Sequence, residues 1–307
     1  MKFLVRSILI ILCLWLVIDR MGDLCMKWVY QNTNDNKAKK INQIVKSVDA
    51  DVVLIGTSRC AFHYVPSIIS DSLGMSVYNA GLDASENIYS NYMVLSFILQ
   101  HHTPKVVCLD TGESEYAMGT NDFDAINIFA PHYGVCPQVD SVFSMAGTSA
   151  LYRLSHLYRY HSGATIILGS LLIPPTEDDC GFTPLPYRET NFDIEHIPVS
   201  KAREVDPKRI SMFRRFINLC QERDIKLILS ISPSMEQLDE HYYDVIRVIA
   251  AEYNLPLLDY DTNNYLCDHP EYFRDIAHMC GEGARVFSSA YAHDLKGIIQ
   301  PIPERID

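Results

Sequence analysis

The chain is expected to be an α/β protein built on a mostly parallel, five-stranded sheet, and three observations predict it. Short apolar runs alternate with helix-spaced segments in both halves of the chain. The first run closes on Gly56-Thr57-Ser58, and Asp275-x-x-His278 stands just ahead of the last helical pattern. In an open parallel sheet, the loops leaving the carboxyl ends of the strands share one edge. A serine after the first strand and a histidine before the last helix can therefore meet there. With 48% apolar and 10% aromatic residues over 307 positions, the chain can bury a sizeable core, which excludes disorder as a description of the whole.

The elements follow in order. Residues 51–55 form an apolar run closed by Gly56, a strand buried on both faces. Helical spacing follows over 65–73, a short strand over 76–79, a helix over 85–100 and a third strand over 106–110. The alternation returns with a helix over 207–222, a strand over 226–231, a helix over 236–253, a strand over 256–260 and a closing helix over 283–295. Residues 114–201 lack it and carry turn clusters such as Pro184-Leu185-Pro186. They are expected to form an insertion over the carboxyl edge of the sheet, partly helical over 139–160.

Residues 3–18 (FLVRSILIILCLWLVI) are apolar apart from Arg6 and Ser7 and are flanked by Lys2 and by Asp19-Arg20. The first reading is an uncleaved membrane helix with the folded part outside the cytoplasm, Arg6 and Arg20 snorkelling to the interfaces. A cleaved signal peptide is the alternative, against which no small-x-small site follows the apolar run; a buried helix of the fold is the other. The organisation expected is thus an anchor or signal over 1–30, a polar linker and short helix over 31–50, the catalytic domain over 51–300 and a tail over 301–307.

The net charge of −12 excludes a nucleic-acid partner, which needs clustered Lys and Arg to displace counterions. Nine scattered cysteines with no C-x-x-C pair are neither a disulfide framework nor a metal set; no metal site and no cofactor are expected. A serine hydroxyl needs an imidazole to take its proton and a carboxylate to fix that imidazole's tautomer. Ser58, His278 and Asp275 have the types and spacing for those roles, the last two lying within one turn.

These blocks resemble the SGNH (GDSL-like) hydrolases from about residue 51 to 295: Gly56-Thr57-Ser58-Arg59 as the first, Tyr78-Asn79-Ala80-Gly81 as the second, and Asp275-Ile276-Ala277-His278 with Gly283-Ala284 as the last. The apolar leader, Ser58-Arg59 with His63-Tyr64-x-Pro66, and Ser232-Pro233 are more narrowly similar to membrane-anchored proteins of bacterial surface-polysaccharide loci. The resemblance implies a flavodoxin-like three-layer α/β/α fold, a serine acyl-enzyme, and an oxyanion hole from the Ser58 and Gly81 N–H groups with an Asn side chain. Here Glu113 follows the third strand where that Asn is expected, and Asn79 or the Ala84 backbone is the substitute. It further implies an esterase or O-acyltransferase acting on acylated extracytoplasmic glycans or small esters, attached to the bacterial cytoplasmic membrane by a single pass. A weakly active or inactive glycan-binding module is the alternative, motivated by Glu113. Arg59, His63, Asn79 and Glu113 are the candidate substrate contacts, with an ion pair to Asp83 or Glu86 as the alternative for Arg59.

Overall fold

The computed structural model describes residues 1–84, 87–119, 123–174, 179–188, 197–262 and 265–300. Five strands, β1 (Val52–Ile55), β2 (Val77–Asn79), β3 (Val106–Asp110), β4 (Lys226–Ile231) and β5 (Leu257–Asp259), form one sheet in the order β2-β1-β3-β4-β5. Every pairing is parallel. In chain order the helices are α1 (Lys2–Gln31), α2 (Asn36–Lys46), α3 (Ser58–His63), α4 (Pro66–Leu73), α5 (Ile88–Ile98), α6 (Pro137–Met145), α7 (Ser149–Leu154), α8 (Ala164–Ser170), α9 (Pro207–Glu222), α10 (Asp244–Glu252) and α11 (Gly281–Ile299).

Alternate strand residues face opposite sides of a sheet, and the core divides accordingly. Val53, Ile55, Val107, Leu109 and Leu229 pack with α2, α5, α9 and α10. Val52, Leu54, Val106, Cys108 and Ile228 pack with α4 and α11. The three layers and the near-continuous apolar strands have the same cause, burial on both faces. Local chemistry sets the helix starts: Asp206 accepts from Lys208 N–H and precedes Pro207 at the first turn of α9, and Asn87 accepts from Ser90 N–H at α5. Every residue of α5 is buried, because it lies between the sheet and an outer layer of helices.

Three elements differ from the sequence reading. The first βα turn holds a short extra helix, α3, which begins at Ser58 itself. The expected helix over 236–253 forms only from Asp244, because the preceding loop is tied to the sheet edge. There Ser234 and Tyr243 donate to Asp261, and Met235 N–H donates to Ile276 O at 2.7 Å. The insertion carries α6, α7 and the unforeseen α8 beside α1, α2 and α5, and its residues 179–188 reach the strand edge: Asn79 N–H donates to Cys180 O and Gly281 N–H to Leu185 O.

The expected membrane-spanning helix is corrected. No helix among the described residues is long and apolar enough to cross a membrane. Charges are the reason: between Arg6 and Asp19 only residues 7–18 are uncharged, about 18 Å of helix at ~1.5 Å per residue, against a hydrocarbon core of about 30 Å. α1 is instead one continuous helix in two regimes. Its second half docks on the domain, with Met26, Val29 and Tyr30 against Tyr160 and Ile167. Buried Asp19 accepts from Ser155 Oγ and from the His156 and Leu157 N–H groups. Its first half leaves apolar side chains from Phe3 to Ile18 exposed.

Candidate active site

β1 ends at buried Gly56, where a Cβ would lie 2.6 Å from Asp110 O and 2.7 Å from Cys60 Cβ, so glycine alone lets the chain turn into α3. That turn places Ser58, half-buried, at the carboxyl edge of the sheet. On the far side, the loop before α11 brings His278 to it: Ser58 Oγ lies 2.8 Å from His278 Nε2, and His278 Nδ1 lies 2.9 Å from Asp275 Oδ1. The same carboxylate oxygen accepts the N–H groups of Ala277 (3.0 Å) and His278 (2.9 Å). Asp275 is therefore fixed by its own turn before it touches the ring. A carboxylate accepting from Nδ1–H leaves the Nε2 lone pair facing the serine hydroxyl, the tautomer a general base requires. Phe62 closes one side of the imidazole, edge-on at 5.6 Å between ring centroids.

The other expected site residues have different employment. Gly81 N–H donates to Asn79 Oδ1 at 2.9 Å and is not free for an oxyanion. Gly81 is a packing glycine, since a Cβ would stand 2.5 Å from Ala61 N. Asn79 is fully buried, and its Nδ2 donates to Cys60 O and Tyr64 O, which brackets α3 rather than facing a substrate. Leu82 N–H donates to Gly56 O at 3.1 Å, which runs the 81–84 turn alongside the start of α3. At its end Ala84 is exposed with φ of +51°, a left-handed conformation unusual for a non-glycine residue.

Arg59 points inward rather than toward Asp83 or substrate. Its Nη1 donates to Ser232 O (3.3 Å) and lies 3.6 Å from Asp261 Oδ2. Burial opposes its charge, but Tyr243, Asp261 and Asp110 outweigh it and hold the guanidinium protonated. Burial also pushes both carboxyls above the usual range, against the pull of Arg59. The rest of the cluster satisfies their oxygens: Asp110 accepts from Tyr64 Oη (2.7 Å) and from Ser232 N–H and Oγ, and Asp261 from Ser234 and Tyr243. Glu113, 2% exposed, is clasped by Arg203: its oxygens accept from Arg203 N (2.7 Å), Nε and Nη2 (2.8 Å). It anchors the returning end of the insertion instead of standing bare beside Ser58.

His63 is fully buried, and its Nε2 accepts from Met279 N–H at 3.0 Å, so its proton resides on Nδ1. Burial, with Arg59 and His278 adding to it, lowers its pKa well below the ordinary value and keeps it neutral. It supports the loop of His278 from below and does not meet a ligand. Sequence reasoning missed Asp110 and Asp261, the counter-charges of Arg59, and Tyr243, whose hydroxyl donates to Asp261; Ser232-Pro233 after β4 was their one visible trace. It also missed Glu236, whose carboxyl burial raises above its usual range against Arg59 and His278.

No family model matches the chain, and no curated protein does. Among solved structures it is similar to a GDSL-like lipase from Bacteroides thetaiotaomicron, at 11% identity and a TM-score of 0.39, covering 87% of this chain and 98% of that one. It is also similar to an acetyl xylan esterase, at 15% identity and a TM-score of 0.38, covering 79% and 98%. The likeness is remote, and the chemistry of the site rests on the chain's own geometry.

Proposed function

We propose that the chain is a serine-dependent ester hydrolase or acyltransferase working through an acyl-enzyme. The observation that carries the reading is the Ser58–His278–Asp275 relay, with both contacts at hydrogen-bond length in one pre-organised arrangement. Ser58 Oγ bonds to the ester carbonyl carbon as its proton passes to His278 Nε2. The C–O bond to the alcohol then breaks, and the alcohol leaves with that proton. Water, or an acceptor hydroxyl in transfer, then attacks the acyl carbon as its proton passes to His278 Nε2, and the Oγ–acyl bond breaks with that proton returned to Ser58 Oγ.

The Ser58 N–H, in the first turn of α3 where no intrahelical acceptor exists, is one oxyanion donor. The Ala84 N–H, at the strained end of the adjacent turn, is the second we assign, in place of Gly81. Acylated glycans remain the proposed substrates on the strength of the sequence resemblance alone. The exposed first half of α1 is assigned to a lipid surface at the bacterial membrane, supported by its apolar side chains. A weakly active or inactive glycan-binding module is the second reading, since Glu113, paired with Arg203, supplies no amide donor where the Asn is expected.

The test is hydrolysis of 4-nitrophenyl acetate by the full-length chain and by Ser58→Ala and His278→Ala. Loss of turnover in both variants is expected. Turnover that survives Ser58→Ala, or none in the parent chain, contradicts the reading.

A further inference from the structure

The second half of α1 is apolar on both of its sides. Met26, Val29 and Tyr30 dock on the domain, while Met21, Leu24 and Trp28, spaced three and four apart on the opposite side, stay exposed, Trp28 by 62%. A helix side that faced only water would be polar. α8, packed alongside, repeats the arrangement: Ile167 and Ser170 turn inward, and Ile166 and Leu168 turn out, continued by Leu171, Leu172 and Ile173 in the turn that follows. Leu172 is 90% exposed.

These helices are tied into one unit. The Thr33 and Ser170 hydroxyls lie 2.6 Å apart, and Asn34 Nδ2 donates to Ile173 O at 2.7 Å. Nearer the bare half of α1, a Cβ on Gly22 would stand 2.8 Å from Leu157, so the helix lies directly on the segment after α7, whose Leu151 and Leu154 are also exposed.

Charge sets this region apart from the rest of the molecule. Residues 1–34 and 141–174 hold six Lys and Arg against two Asp, a balance of +4, so the remainder of this chain of net charge −12 carries −16. The stretch 141–174 contains no Asp or Glu. Both Asp turn inward: Asp19 accepts from Ser155 Oγ and His156 N–H, and Asp23, 19% exposed, lies 3.5 Å from His156 Nδ1. Lys27 and Arg153 are exposed, and no carboxylate pairs with either among the described residues. A second copy of the chain would set positive charge against positive charge here, whereas anionic headgroups over acyl chains complement both the cations and the apolar side chains.

We propose that the outer sides of α8 and of the second half of α1 form a docking face for an anionic lipid leaflet, with Lys27 and Arg153 among the phosphates and Trp28 and Leu172 at the acyl boundary. The proposal extends the lipid assignment of the bare half of α1 and rests on that reading for the bilayer as partner, but it needs nothing from Ser58. The bare half holds the chain on a neutral bilayer; the face adds attraction for anionic headgroups and fixes how the domain lies on them.

The chain carries two tryptophans, Trp15 on the bare half and Trp28 on the face, which separates the two contacts experimentally. Full-length Trp15→Phe and Trp28→Phe are mixed with vesicles of phosphatidylcholine, with and without phosphatidylglycerol, whose acyl chains are brominated to quench nearby indoles. Quenching of Trp28 in Trp15→Phe is expected. Co-flotation with the anionic vesicles is expected to be roughly ten-fold or more the tighter, at about five-fold per cation, with the difference lost in high salt and in Lys27→Glu with Arg153→Glu. An unchanged melting temperature shows that this variant folds. Quenching of Trp15 alone overturns the face and leaves the lipid assignment of the bare half; no quenching of either, without flotation, overturns both. Equal binding to neutral and anionic vesicles overturns the anionic leaflet as partner. A dimer in sedimentation, with Trp28 shielded from a soluble quencher and no vesicle binding, makes a second copy the occupant and overturns the proposal.

Discussion

The Asp275 carboxylate accepts three N–H groups on one oxygen, and the imidazole takes its orientation from that turn. Asp275→Asn is expected to present the wrong tautomer to Ser58 and lower kcat by about 10³- to 10⁴-fold with little change in KM, measured on an activated ester. Arg59, next in sequence to Ser58, does a different job. Its side chain is 16% exposed and that of Asp261 1%, so Arg59→Met leaves two buried carboxyls without their counter-charge. A loss of about 3–5 kcal/mol in denaturant unfolding is expected, because a broken buried pair strands its partner. A loss below 1 kcal/mol would show that the cluster is neutral without the arginine. Arg203→Ala leaves the buried Glu113 carboxylate with the Arg203 backbone N–H, and water can reach the space of a guanidinium that is 45% exposed. Its effect is expected to be the smaller.

At the scale of elements, most strands and the long helices were legible because burial writes a pattern into the sequence. The reading placed α9 and β4 over the same residues the structure does, Pro207–Glu222 and Lys226–Ile231, since a Pro-capped start and an apolar run are local signals. α3 was not legible, because Ser58-Arg59-Cys60 carries no periodicity and the helix forms from the packing of Cys60 and Ala61 against Asn79 and Gly81. The same contact explains why the role of Gly81 was misread: a glycine needed for close approach and one needed to offer its N–H look alike in sequence. Gly81→Ala is accordingly expected to destabilise the fold by about 1–3 kcal/mol, seen as a lowered melting temperature, from a clash against α3.

Between β3 and the insertion, burial lifts the Glu115 carboxyl from its ordinary value near 4.5 to about 8, although Gly112 N–H and Asn91 Nδ2 donate to it. The folded state thus keeps a proton that the unfolded chain releases. Its stabilising contribution is complete below pH 4.5 and is lost as pH rises to about 8. Glu115→Gln is expected to flatten the melting-temperature profile across that window. An unchanged slope would mean that Glu115 folds ionised.

Over the whole molecule, the meeting of Ser58, His278 and Asp275 was readable from sequence because they sit at two element boundaries that the α/β rule brings to one edge. Its surroundings were not, because the Arg59 cluster and the Glu113–Arg203 clasp join residues up to about 200 positions apart with no local signature. The leader was misjudged as spanning because its apolar run was read without the docking that holds Asp19 inside the fold. With α1 half docked and half bare, removing residues 2–18 is expected to abolish co-flotation with phosphatidylcholine vesicles while leaving Ser58 chemistry intact. Flotation that survives the deletion would move the lipid contact elsewhere.

The central claim is that Ser58 is a nucleophile activated by His278. The most direct measurement is mass spectrometry of the chain after treatment with a fluorophosphonate. The account predicts a single adduct on the peptide containing Ser58, formed rapidly in the parent chain and suppressed in His278→Ala. No adduct, an adduct on another residue, or labelling of Ser58 at the same rate without His278 would contradict it.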